Sequence, residues 1–92
     1  MVSKFYQAKH ILISEKEDAQ YVLEKINQKE SFEALAKEFS ECESSHNGGD
    51  LGRFRSGVMD AEFEKALYQM KPGEVKGPIK TRFGYHIILK IS

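Results

Sequence analysis

His10-Ile11-Leu12-Ile13 and His86-Ile87-Ile88-Leu89 decide how this chain folds: each is a histidine leading three aliphatic residues, and 76 positions separate the two histidines. Short β-branched runs of this kind, the first closed by Ser14-Glu15, read as buried strands rather than helices. A strand apolar on both faces belongs in the middle of a sheet, so the two are expected to be central neighbours. That pairing would bring two imidazoles, distant in sequence, together at one sheet surface. A lone histidine beside apolar residues is usually a satisfied core group. Two in the same setting make a shared polar site worth testing.

Between these strands the spacing is helical. Ser14 and Glu17 have the form of a capping box, and Ala19, Val22, Leu23 and Ile26 follow it at helical intervals. This predicts a first helix over 17–28. A second is predicted after Ser31, with Phe32, Leu35, Ala36 and Phe39 on one face. From Ser40 to Gly57 the pattern breaks at Gly48, Gly49, Gly52 and Gly57, and only Leu51-Gly52-Arg53-Phe54 is strand-like. A loop that long in so small a chain is usually functional or disordered. The Gly48-Gly49-Asp50-Leu51-Gly52 stretch lacks the Gly-Lys-Ser/Thr of a phosphate cradle, so tight turns account for its glycines better. Asp60 is a good N-cap for a third helix presenting Phe63, Ala66, Leu67 and Met70. Pro72-Gly73 ends it, and Pro78 confines a strand around Val75–Ile79 to a sheet edge. Strands outside with helices between predict an α+β fold, one domain over residues 1–92, with an antiparallel sheet.

Composition narrows the function classes. The 92 residues are 40% hydrophobic and 30% charged, ordinary for a globular domain that buries ~65% of its unfolded surface. No apolar run approaches membrane-spanning length, and no secretion signal is visible. The single cysteine rules out an internal disulfide and fits a reducing compartment; a cytoplasmic setting is the expectation if the chain is complete, an excised domain of an extracytoplasmic foldase being the other case. Residues 1–46 carry 6 Lys/Arg against 9 Asp/Glu, and residues 47–92 carry 8 against 5. Without a dense basic stripe, nucleic acid is not expected as the main partner, nor is a membrane.

Taken together, the landmarks resemble the parvulin family of peptidyl-prolyl cis/trans isomerases. They run Ala8-Lys9-His10-Ile11-Leu12, Phe32-Glu33-Ala34-Leu35-Ala36, Phe39-Ser40-Glu41-Cys42, Gly48 to Phe54, Gly57-Val58-Met59, Phe63, and Gly84-Tyr85-His86-Ile87-Ile88. The resemblance implies a four-stranded antiparallel sheet surrounded by helices, no metal or organic cofactor, and a monomer acting on proline-containing peptides and unfolded or partly folded chains. It implies catalytic roles for His10, Cys42, His86 and Thr81. Leu51, Met59, Phe63 and Phe83 would bind substrate, with Thr81 and Phe83 on the loop before the last histidine. Some relatives carry serine where Phe83 stands. Relatives that require phosphorylated Ser/Thr carry a basic insertion after the first strand. Here Ser14-Glu15-Lys16-Glu17-Asp18 is short and net acidic, which points to a minimal, phosphorylation-independent enzyme. If the loop of Arg53 and Arg55 lies beside the pocket, acidic residues before proline would be favoured.

The residues leave Cys42 three readings: an inert thiol, a nucleophile with His10 or His86 as base, or a polar group tuning the site. Because the family position tolerates aspartate, the polar role is preferred. Two adjacent histidines cannot both be charged cheaply, so one donating to the other would make a rigid floor. A metal set of Cys42, His46 and the strand histidines lacks paired ligand spacing, and His46 reads as a solvated loop residue. The rival to isomerisation is a non-catalytic peptide-binding or chaperone module using the same apolar cleft.

Overall fold

The computed structural model describes residues 4–92. Strand β1 (Phe5–Ile13) is followed by helices α1 (Lys16–Asn27) and α2 (Phe32–Phe39), then a 3-10 turn at Glu43–Asn47 and strand β2 (Asp50–Arg55). Helix α3 (Ala61–Tyr68) leads into strands β3 (Val75–Thr81) and β4 (Gly84–Lys90). The strands form one antiparallel sheet in the order β2-β1-β4-β3, so the two histidine-led runs are the central pair, as expected. Pro78 lies on the outer strand, where the register with β4 shifts between Lys76 and Ile79 and a missing N–H breaks no interior ladder.

The side-chain alternation of β1 and β4 divides the interior in two. Ile11, Ile13 and Ile87 point to one face and pack with Ala19 and Val22 of α1 and Phe32, Leu35 and Ala36 of α2. Ala8 and Ile88 point to the other, where Phe54, Phe63, Ala66, Leu67 and Met70 cover them. Ile11, Ile87, Ile88, Leu67 and Val22 are fully buried, each worth about 1.5–3 kcal/mol in transfer terms. Both faces of the central pair are used, which is why its sequence is apolar in consecutive rather than alternate positions.

The structure departs from the sequence reading in local detail. Strand β1 starts at Phe5, ahead of the aliphatic run, because β2 pairs with Phe5, Tyr6 and Gln7. The capping box at Ser14 does not form. Helix α1 starts at Lys16 behind Glu15 without a side-chain cap, and Ser14 instead donates its N–H and hydroxyl to the Glu41 carboxylate at 2.7 and 2.5 Å. A long-range carboxylate has outcompeted the local one. Ser31 and Asp60 do cap their helices, accepting from the N–H groups of Ala34 and Glu62.

The loop after α2 is laid against β1 by a backbone approach that only glycine permits. Gly49 has φ +84°, accepts the His10 N–H at 2.9 Å, and a Cβ there would fall 2.4 Å from the His10 carbonyl oxygen. Gly52 also has positive φ, at +70°, but faces open space. Gly49→Ala should therefore cost roughly 2–4 kcal/mol and Gly52→Ala about 1 kcal/mol. Urea denaturation of the two variants checks this, and equal losses would mean that the close approach to His10 is unimportant.

Candidate functional site

Antiparallel register sets the site. Leu12 faces His86 across the β1–β4 ladder and His10 faces Ile88, so the histidines lie diagonally on the same sheet face, on the α3 side. Their Nδ1 atoms are 2.9 Å apart and the rings are stacked, 21° from parallel. Phe63 of α3 meets both rings edge-on, with centroids 5.7 and 5.4 Å away. His86 Nε2 lies 2.7 Å from Thr81 Oγ1, which also accepts the Phe83 N–H at 3.1 Å. Thr81 thus ties the hairpin turn to the histidine pair.

Two proton arrangements fit these contacts. Either His86 donates through Nδ1 to His10 and accepts from the Thr81 hydroxyl, or both donations run the other way. In both, one imidazole proton is shared between rings and His10 Nε2 remains buried without a partner. Burial, joined by the neighbouring His86, depresses His10 from 6.5 to about 4. Burial also lowers His86, although the Asp60 carboxylate pulls it upward. At pH 7 the floor is a neutral pair.

Above this floor is an apolar cavity of about 230 Å³. Leu12, Leu51, Met59, Phe63 and Phe83 supply its walls, with Cys42 and Asp60 beside the histidines. All the residues expected at the site therefore meet at one cleft except Thr81. That residue is buried at the end of β3, not on a loop, and reaches the cleft only through His86 and the backbone of Phe83. Cys42 is half-buried at the start of the 3-10 turn; the bonded histidine nitrogens engage each other and Thr81 rather than its thiol. His46 is exposed on that turn, away from the cleft lining. Arg53 and Arg55 are not beside the cleft either. Phe54 takes the inward position on β2, so its neighbours point to the opposite face and lie over the exposed Phe5 ring, 4.6 and 5.8 Å from its centroid.

Glu64 was not legible as part of the site. It is 4% exposed and accepts the N–H groups of Gly57 and Met59, both at 2.7 Å, together with the Tyr68 hydroxyl. Burial alone would raise this carboxyl, but the hydrogen bonds from Tyr68, Gly57, Met59 and Val58 outweigh it and hold it below 4.5. The donated bond pushes the Tyr68 phenol up to about 12. Glu64 thereby fixes the loop that carries Met59 to the helix that carries Phe63. The only sequence hint was a tyrosine four residues on, at helical contact distance.

Two outcomes follow. His10 takes up no proton in the folded state between about pH 6.5 and 4, whereas the unfolded chain does. Stability should therefore be full above 6.5 and fall through that window, by on the order of 2 kcal/mol at pH 5. Glu64, whose folded value is depressed, adds a further loss only below about 4.5. Urea midpoints at pH 7.5, 6.5 and 5 measure this, and a flat profile down to pH 5 would contradict it. Glu64→Ala should cost roughly 2–4 kcal/mol by leaving buried N–H groups unpaired, a loss that thermal melting would reveal.

Residues 10–92 match the rotamase family, the PPIC-type PPIase domain. Foldase protein PrsA of Bacillus subtilis (strain 168) is 49% identical over 85 residues, covering 91% of this chain and 29% of that protein. The chain spans less than a third of the length of such curated relatives. Among solved structures, the peptidylprolyl isomerase PrsA from Bacillus anthracis superposes with a TM-score of 0.95 at 41% identity, over 98% of this chain and 42% of that one. NmPin, the parvulin of Nitrosopumilus maritimus, superposes at 0.86 and 40% identity over the whole of both chains. With the histidine pair and apolar cleft in place and the sequence matched from His10 onward, the chain belongs to the PPIC-type, or parvulin-type, family of peptidyl-prolyl cis/trans isomerases.

Proposed function

We propose that the cleft seats the ring of a proline and that isomerisation proceeds without any covalent intermediate. Rotation about an X–Pro amide breaks its conjugation, a barrier near ~18–20 kcal/mol. Midway through the turn the carbonyl has lost polarity and the nitrogen lone pair is localised. Apolar walls from Leu51, Met59, Phe63 and Phe83 disfavour the polar planar amide relative to this twisted state. Lowering the barrier by ~4 kcal/mol would accelerate rotation about a thousandfold.

The observation that carries this reading is the neutral, mutually bonded histidine floor beneath an apolar pocket. It offers rigidity and low polarity rather than a strong acid or base. Cys42 has a polar tuning role in this scheme: three of the four ring nitrogens are bonded to each other or to Thr81, and none is hydrogen-bonded to the Cys42 thiol. The substrates we propose are proline-containing peptides and partly folded chains. The β1–α1 connection, Ser14-Glu15, offers no clamp for phosphate, and Glu41 already accepts from both donors of Ser14.

Exchange NMR on X–Pro peptides separates isomerisation from binding alone: accelerated cis/trans exchange supports the proposal, while peptide binding with unchanged exchange would make this a chaperone-type module. Met59→Ala should keep its fold and lose about tenfold or more in kcat/KM. Phe63 is part of the core, and Phe63→Ala would remove about 3–5 kcal/mol of stability, so Phe63→Leu is the informative change and should also depress turnover. Cys42→Asp should retain activity within about tenfold of the parent. Inactivity of both Cys42→Asp and Cys42→Ser, with an adduct trapped on the parent thiol, would instead establish thiol chemistry.

A further inference from the structure

At about 230 Å³ the cavity is smaller than the roughly 300–1,000 Å³ of sites for drug-sized ligands. It accommodates one ring, so the residues flanking a seated proline must cross its rim. The polarity of the rim then governs which neighbours are favoured.

Asp60 brings a charged partner, Arg82, to the margin of this cleft. Asp60 is the single carboxylate among the cleft-lining residues. Its Oδ1 accepts the Glu62 N–H at the start of α3, and its Oδ2 lies 3.7 Å from Arg82 Nε. The Asp60 side chain is only 18% exposed, so its charge is largely committed to the helix terminus and to the arginine. Arg82 is the reverse case, with 78% of its side chain exposed. Its guanidinium lies 4.9 Å from the centroid of the cleft-lining Phe83 ring. With most of its side chain exposed and two cleft-lining residues as neighbours, Arg82 offers a cation to a chain crossing the rim.

The mount is stiff. Arg82 and Phe83 form the two-residue turn between paired Thr81 and Gly84, and the Phe83 N–H is bonded to Thr81, which is bonded to His86. A side chain that tracks the turn therefore tracks the floor of the pocket.

We propose that Arg82, braced by Asp60 and Phe83, is a specificity-determining residue that favours substrates carrying an acidic side chain next to the proline. This rests on the isomerase reading of the cleft. A single exposed guanidinium confers a modest preference that salt weakens, well short of the discrimination by a bidentate arginine clamp.

The test compares Glu-Pro, Ala-Pro, Lys-Pro and phosphoSer-Pro peptides, with binding followed by NMR titration and turnover by exchange spectroscopy. The parent should favour Glu-Pro over Lys-Pro by about three- to fivefold at low salt, less at moderate salt, and phosphoSer-Pro over Ala-Pro by less than about tenfold. Arg82→Gln should bring the Glu/Lys ratio close to unity and Arg82→Glu should invert it. Arg53→Gln, on the other face, should preserve the parent ratio. A Glu/Lys ratio that Arg82→Glu leaves unchanged, or that Arg53→Gln abolishes, would overturn the proposal. Failure of the isomerase reading is distinct: peptides would bind without accelerated exchange, and the same ratios would then be read from affinities.

Discussion

The contact between His10 and His86 constrains the cleft face of this domain. Two imidazoles can share a proton at 2.9 Å only if β1 and β4 are adjacent, antiparallel and in the observed register. A one-residue slip would turn one ring to the opposite face of the sheet. The polar pair thus acts as a register mark inside an otherwise aliphatic ladder, while Ile11, Ile87 and Ile88 supply the burial. The edge-on Phe63 and the anchored Thr81 then have a fixed surface on which to pack. Burial withholds the hydration that a charged ring would need, which is why both prefer neutrality.

The cleft is held from above as well as from below. The Glu64 carboxylate gathers the N–H groups of Gly57 and Met59 from the irregular loop between β2 and α3. On the far side, Gly49 brings the preceding loop into contact with the backbone of β1. The start of strand β2, which carries Leu51, and the irregular segment carrying Met59 are thereby fixed in position. The cleft is shaped by these tethers as much as by its apolar lining.

Much of this was legible in the sequence, and the reasons are physical. Consecutive aliphatics identified the two central strands because their burial is two-sided, and Pro78 identified an outer strand because it lacks a donor. Ser31 and Asp60 were readable as caps because capping is local. The misreadings involve long-range competition. Ser14 looked like a cap until Glu41, 27 positions away, offered a better acceptor. The sequence left open whether Arg53 and Arg55 flank the pocket, and the pleat of β2 aims them away from it. Asp60 was recognised as a cap without its place at the rim, and Glu64 had no pattern to mark it. Motif resemblance brought the cleft residues together, while the network binding them together became visible only in three dimensions.

The division of the interior by the sheet has a consequence for how this domain can change. The α1–α2 core contains none of the cleft's walls, whereas the α3 core shares Phe63 with them. Sequence variation can therefore accumulate on the first side largely as a matter of packing, with its effects reaching the pocket through strands β1 and β4 and through the segment after α2 that carries Cys42. Variation on the second side must satisfy the pocket and the core at once. The molecule has a tolerant half and an exacting half, and a stabilising redesign that keeps to the α1–α2 layer would leave the chemistry of the opposite layer intact.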